Sequence, residues 1–196
     1  MNTFSKLIAA SMISSARNRE TSRAQRGILT VSYTHLDVYK RQPWTRTPMI
    51  LFFLDLNVWL ALSDDGHSHN SVAWTWFDGL AEDSALIFSR YTQIGLLRLL
   101  TNTAVMGAKT LTLGEAWAVY DGWLKDPRIE FYPEPRNVDA GFRRVTRPFA
   151  GKPAAKWVGD CWLLAYAEAA QARLVTFDRA LCEFAVKQGN RAVVPS

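Results

Sequence analysis

Ile50-Leu51-Phe52-Phe53-Leu54-Asp55-Leu56-Asn57-Val58 decides how the rest of the chain is read. Residues 50–56 are short, apolar and free of Gly and Pro, the pattern of a strand buried on both faces. Asp55 interrupts that pattern at the strand's end. Two more acids hold comparable places. Asp178 closes Leu174-Val175-Thr176-Phe177, and Asp160 opens the helical run Asp160-Cys161-Trp162-Leu163-Leu164-Ala165-Tyr166-Ala167. In an open parallel sheet the carboxyl ends of strands and the nearby helix starts meet in one crevice, the usual ligand site. Three carboxylates there repel one another and resist burial. A divalent cation removes the conflict, and oxygen ligands of this kind suit Mg²⁺ or Mn²⁺.

Outward from this stretch, strands and helices alternate. His69 to Leu80 carries a helical apolar stripe, Ala85 to Phe88 reads as a strand, and Thr92 to Thr103 as a helix. Thr112 and Glu115 form a capping-box pattern ahead of a helix through Trp117, Tyr120 and Trp123. Arg128 to Tyr132 is a short strand stopped by Pro133. Helices follow over 137–145 and from Lys156 or Trp157 to about Ala172. A strand over 173–177, a helix over 179–188 and Ala192-Val193-Val194 complete the series. Such alternation predicts an α/β fold with a parallel sheet covered on both faces.

Composition agrees with a globular chain: 48% of the 196 residues are hydrophobic, and no apolar run reaches the ~18 residues of a spanning helix. Cys161 and Cys182 lie in helical patterns and read as buried thiols, consistent with a reducing cytoplasm. The net charge of +5 misleads. Eight of the 23 Lys and Arg residues, but only two of the 18 acids, fall in residues 1–48. That leaves 15 basic and 16 acidic residues, a net of −1, in 49–196. The basic balance is therefore no argument that the folded domain binds nucleic acid.

Residues 1–48 lack sustained periodicity. Leu7 to Ile13 after Lys6 is at the short limit of a signal-peptide core, and a basic nucleic-acid-binding arm is a second possibility. The string Val31-Ser-Tyr-Thr-His-Leu-Asp-Val-Tyr-Lys-Arg-Gln42 resembles translated sequencing-adapter read-through. We read residues 1–48 as a non-native or disordered extension and 49–196 as one domain, with Met49 near its true start.

Each acid has a plainer account: Asp55 and Asp178 as caps of a turn or helix, Asp160 as a first-turn partner of a helix dipole. Asn57 is placed to orient Asp55 or a metal-bound water. His67 and His69 beside Asp64 and Asp65 suggest zinc, but no second ligand cluster follows, so a polar loop is expected. The tryptophans after residue 48 follow helical spacing and are expected in the core or at protein contacts.

Four segments together resemble one family. They are Phe53-Leu54-Asp55-Leu56-Asn57-Val58, Ser89-Arg90-Tyr91-Thr92-Gln93-Ile94-Gly95-Leu96-Leu97-Arg98, Asp160-Cys161-Trp162-Leu163-Leu164-Ala165 and Thr176-Phe177-Asp178. In order, spacing and context, residues 50–194 resemble a PIN domain of the VapC-type toxin ribonucleases of bacterial toxin–antitoxin pairs. Glu115 to Pro135 also resembles a mycobacterial or actinobacterial-like subgroup. The resemblance implies a three-layer α/β/α fold around a mostly parallel central sheet. It also implies a Mg²⁺- or Mn²⁺-dependent endoribonuclease that leaves a 3′-hydroxyl and a 5′-phosphate. Asp55, Asp160 and Asp178 correspond to the family's metal-site aspartates. Gln93 stands where the family commonly has its remaining acid, and a carboxamide brings no negative charge. The implied partners are RNA, with tRNA and rRNA as candidate classes, a VapB-like antitoxin and a second copy of the chain in a homodimer; a cytoplasmic location without membrane contact is expected. Arg98, Arg179 and Arg143-Arg144-Arg147 are candidate phosphate contacts. The alternative is a catalytically weak PIN-fold module that binds RNA or a partner, and Gln93 favours it. A receiver or haloacid-dehalogenase phosphotransferase needs a Lys near its aspartate. The dehalogenase type also needs a second Asp two residues on, where this chain has Asn57.

Overall fold

The computed structural model of the chain describes residues 50–196; the expectation for residues 1–48 lies outside the described residues. Strand β1, Ile50–Leu54, runs into the core and ends at Asp55. There the chain turns. The Asp55 carboxylate accepts from the backbone N–H of Leu56 at 2.6 Å and opens helix α1, Leu56–Ser63. This helix corrects the expectation that the strand continues to residue 56. The apolar run through Trp59 and Leu60 is buried, but in helical form, because a cap is available to the first orphan N–H groups.

Helix α2, Asn70–Asp78, leads to strand β2, Ser84–Phe88, which is buried throughout. Helix α3, Arg90–Leu100, starts two residues earlier than the sequence suggests because Ser89 and Thr92 form a reciprocal capping box. A one-turn helix α4, Thr103–Met106, and a 3₁₀ turn, Gly107–Lys109, were not expected. Helix α5, Leu113–Trp123, has the anticipated Thr112–Glu115 capping box. Strand β3, Ile129–Phe131, helix α6, Val138–Thr146, and a 3₁₀ turn, Arg147–Phe149, follow. Helix α7, Ala155–Ala169, strand β4, Arg173–Val175, helix α8, Arg179–Lys187, and strand β5, Ala192–Val193, complete the domain.

All four strand pairings are parallel, in the order β3-β2-β1-β4-β5. Period-two alternation divides the side chains between two helical layers. Phe53, Ile87 and Leu174 join Val145, Leu164, Tyr166 and Leu181 from the α6, α7 and α8 side. Phe52 and Phe88 point the other way, onto Trp76 (ring centroids 5.5 Å apart) and Trp59 (3.7 Å). Trp59 and Trp123 are fully buried, and the Trp123 indole donates to Ser63 Oγ at 2.9 Å. The three-layer α/β/α architecture expected from the sequence is therefore the observed one. Strand order reverses between β1 and β4, so the crevice of this sheet opens at their carboxyl ends. Among the described residues no helix is long and apolar enough to cross a membrane.

Candidate functional site

Asp55 follows β1 and Asp178 follows β4, on the two strands that flank the switch point. Asp55 is only 9% exposed. Its backbone N–H donates to Val175 O at 2.9 Å, which ties the two strand ends together. The hub between them is Thr176, fully buried. Its hydroxyl donates to Asp55 Oδ2 at 2.7 Å and accepts from Asn57 Nδ2 at 3.1 Å and from the Asp178 N–H at 3.0 Å. Asn57 Oδ1 also accepts from the Phe177 N–H at 3.2 Å. Asn57 therefore orients Asp55 through Thr176 and not by direct contact. Nothing in the sequence singled out Thr176, because a β-branched residue before an aromatic reads as ordinary strand.

The plainer accounts of Asp55 and Asp178 are also correct. Each carboxylate caps the helix that follows it, Asp178 Oδ1 accepting from Ala180 and Leu181 N–H at 2.8 and 3.1 Å. Asp160 departs from its expectation. Helix α7 begins at Ala155, so Asp160 lies in the second turn, beyond the reach of first-turn dipole stabilisation. It is half-buried and takes no hydrogen bond from any described residue.

Electrostatics shows that the three acids share one field. Burial, first of all, pushes the Asp55 carboxyl above the usual carboxylate range. The Thr176 hydroxyl and Leu56 N–H pull it down, and the charges of Asp160 and Asp178 push it up again. Burial and then the charge of Asp178 raise Asp160. Tyr91 belongs to the same field and was missed by sequence reasoning. Burial, then Asp55 and Asp160, raise its phenol. Its ring lies 4.8 Å from that of Trp162, and its hydroxyl sits where a side chain on Gly159 would begin.

Gln93 is 5% exposed on α3, and its carboxamide oxygen accepts from the Arg90 guanidinium. Arg90 in turn lies 4.7 Å over the Phe131 ring. The oxygen that stands in place of a missing acid thus already accepts a bond from a cation. Among the described residues no group of three or more His, Cys, Asp or Glu side chains is drawn close enough to enclose a metal ion. The Asp55 carboxylate accepts from the Leu56 N–H and the Thr176 hydroxyl, and the Asp178 carboxylate from the Ala180 and Leu181 N–H groups. A hard cation still fits this donor set. Mg²⁺ keeps several waters and typically takes one or two carboxylates together with a substrate phosphate.

The other candidates resolve simply. Lys109 pairs with Asp64 at 2.9 Å and Asp65 at 2.6 Å, and His69 stacks on Phe177, so the 64–69 loop is structural. Cys161 and Cys182 are free thiols; burial and then the Asp160 charge push Cys161 up to about 11. Arg144 pairs with Glu168 and Arg143 with Asp139 at 2.9 Å. Arg98, Arg147 and Arg179 make no ion pair with another described residue.

The fold and its strand-end acids define a class. The PIN domain family model matches residues 52–187, and the chain belongs to that family. Its relatives narrow the class to the VapC type. The chain is 38% identical over 138 residues to Ribonuclease VapC41 of Mycobacterium tuberculosis, covering 68% of this chain and 93% of that protein. It is 30% identical over 141 residues to Ribonuclease VapC39 of the same organism, covering 67% and 91%. Among solved structures, the chain shares its fold with VapBC2 of Rickettsia felis bound to a promoter DNA fragment. There the TM-score is 0.55 at 13% identity, over 75% of this chain and all of the other.

Proposed function

We propose that the chain is a divalent-metal-dependent endoribonuclease, the toxin of a toxin–antitoxin pair, hydrolysing RNA phosphodiester bonds with Mg²⁺ or Mn²⁺. The observation that carries this reading is the shared field of Asp55, Asp160 and Asp178 at the sheet's switch point, on a chain of the VapC type. Asp55 and Asp160 would hold the cation, with Asp178 closing the site through its own carboxylate. When bound, the cation supplies Lewis acidity toward the scissile phosphate and a water acidified toward neutral pH.

The chain's own groups do the rest. Thr176 fixes the carboxylate plane of Asp55, and Asn57 fixes Thr176. Asp160 takes no hydrogen bond from a described residue, which leaves its carboxylate available to orient the attacking water beside the cation. Tyr91 and Trp162 pack against each other beside the site. A VapB-like antitoxin as the neutralising partner and a homodimer as the working unit complete the proposal. The alternative, a PIN-fold module of low catalytic power, draws on Gln93, whose oxygen is committed to Arg90.

Induced expression of the full chain in a bacterial host tests the proposal. Growth arrest with accumulation of cleaved RNA is expected, and Asp55→Ala should abolish both. Arrest that persists in Asp55→Ala, with intact RNA, would favour the binding module.

A further inference from the structure

Residues 136–158 carry six of the domain's cations (Arg136, Arg143, Arg144, Arg147, Lys152 and Lys156) against one acid, Asp139. The whole of residues 49–196 is slightly acidic, so this positive charge is concentrated on one connection. Two of these cations, Arg143 and Arg147, line a cavity of about 430 Å³ between α6, its 3₁₀ extension and the start of α7, a volume in the range of ligand-holding clefts (~300–1,000 Å³). Arg143 and Arg147 stand at its rim. Its floor is apolar and includes Phe149, Trp157 and Val158.

Trp157 is braced rather than loose. Its ring stacks on Phe149 with centroids 4.9 Å apart and planes 19° apart, and Phe184 meets it edge-on at 5.5 Å. Lys152 lies 5.4 Å over the Phe149 ring. Arg143 is held only by a solvent-exposed pair with Asp139, which an incoming anion can replace at little cost. Arg147 pairs with no described residue. Trp157, Val158 and Cys161 line the cavity from one face of α7, and Asp160 stands on a neighbouring face of the same helix, so one helix carries both the cavity and a candidate catalytic carboxylate.

We infer that this cavity is a nucleotide subsite for single-stranded RNA. One base enters against Trp157, and Arg143 and Arg147 hold the adjoining phosphates. A braced aromatic floor with two arginines beside it is the chemistry of a stacking platform with an electrostatic funnel. An acidic polypeptide would match the guanidinium groups but not the flat floor. The inference rests on the proposed ribonuclease function and adds to it the place where substrate is gripped beyond the cleaved bond.

The test is fluorescence anisotropy of the full chain with a labelled single-stranded RNA of about twelve nucleotides, in EDTA. The same RNA with abasic sites and poly-glutamate as competitor serve as controls. Arg143→Gln/Arg147→Gln should weaken binding about tenfold and reduce the slope of log affinity against log salt by about 1.4, at ~0.7 per phosphate contact. Trp157→Leu should weaken binding of the base-bearing RNA about tenfold and leave the abasic RNA nearly unaffected. Trp157→Phe, a milder change that keeps an aromatic floor, should fall between. Cleavage by the unsubstituted chain with Mg²⁺ is measured in parallel. If that chain cleaves RNA while the arginine pair and Trp157→Phe bind like the original, the subsite is refuted and the nuclease function stands. If the unsubstituted chain neither binds nor cleaves RNA, both fall. Poly-glutamate that displaces RNA at equal charge would assign the cavity to an acidic polypeptide and overturn the inference.

Discussion

Replacing Thr176 by Val tests how the site is held together. The change keeps the shape and deletes one hydroxyl that makes three hydrogen bonds, to Asp55, Asn57 and the Asp178 N–H. The bond donated to the buried carboxylate is charge-assisted, a class worth about 1.5–3 kcal/mol, and leaving partners unpaired adds about 1 kcal/mol more. A total of about 2.5–4 kcal/mol is a large share of the 5–15 kcal/mol typical of a folded domain. At roughly 2–4 °C per kcal/mol for a domain of this size, the unfolding midpoint should fall by about 5–15 °C. Asp55 would also lose its aim, and a misplacement of about 1 Å at a reacting centre costs on the order of a hundredfold in rate. Thermal unfolding and RNA cleavage measured on the same samples give both numbers. Thr176→Ser retains the hydroxyl and should recover most of each loss. A midpoint for Thr176→Val within about 2 °C of the original, or a Ser variant as damaged as the Val variant, would refute the hub.

Other perturbations have opposed or signed outcomes. Ala for Gly is normally favourable inside a helix by up to about 1 kcal/mol. Gly122→Ala, with open space around it, should therefore stabilise, whereas Gly95→Ala should destabilise by about 1–3 kcal/mol because its methyl would overlap the Leu56 side chain; urea midpoints decide both. Asp126 sits between burial, which raises its carboxyl, and Arg128, whose side-chain and backbone bonds outweigh that and hold it below the usual range. Its folded value thus lies below its unfolded one. Its contribution to stability is complete above the ordinary carboxylate range and is lost as pH falls through the lowered value. Acid titration of unfolding should show that loss, and Asp126→Asn should flatten it. Gln93→Glu should pair with Arg90 and change Mg²⁺ affinity, by calorimetry, less than about threefold; a tenfold gain would place residue 93 at the metal instead.

Much of this molecule was legible in its sequence because burial leaves a periodic trace. The apolar runs at 50–54 and 85–88, each followed by a polar residue, announced two strands of a parallel sheet, and the Thr112–Glu115 pair announced its helix. Helix α1 was not legible, since Leu56 to Leu60 is equally apolar as strand or helix, and only the Asp55 cap decides between them. The early start of α3 was hidden for a related reason: its capping box uses Thr92 in place of an acid. The aspartates could be found because an acid after an apolar strand is conspicuous. Thr176 and Tyr91 could not, because a threonine and a tyrosine pass for strand and core, and their roles arise only when distant segments meet.

Metal-dependent catalysis at the strand-end acids is tested by cleavage of a defined single-stranded RNA by the purified full chain, with Mg²⁺ and with EDTA, beside Asp160→Asn. Mg²⁺-dependent products ending in a 3′-hydroxyl and a 5′-phosphate are expected, with the rate of Asp160→Asn lower by about a hundredfold or more, the order expected for removing a catalytic carboxylate. Cleavage that proceeds in EDTA, or at an unchanged rate in Asp160→Asn, would contradict metal-dependent catalysis there.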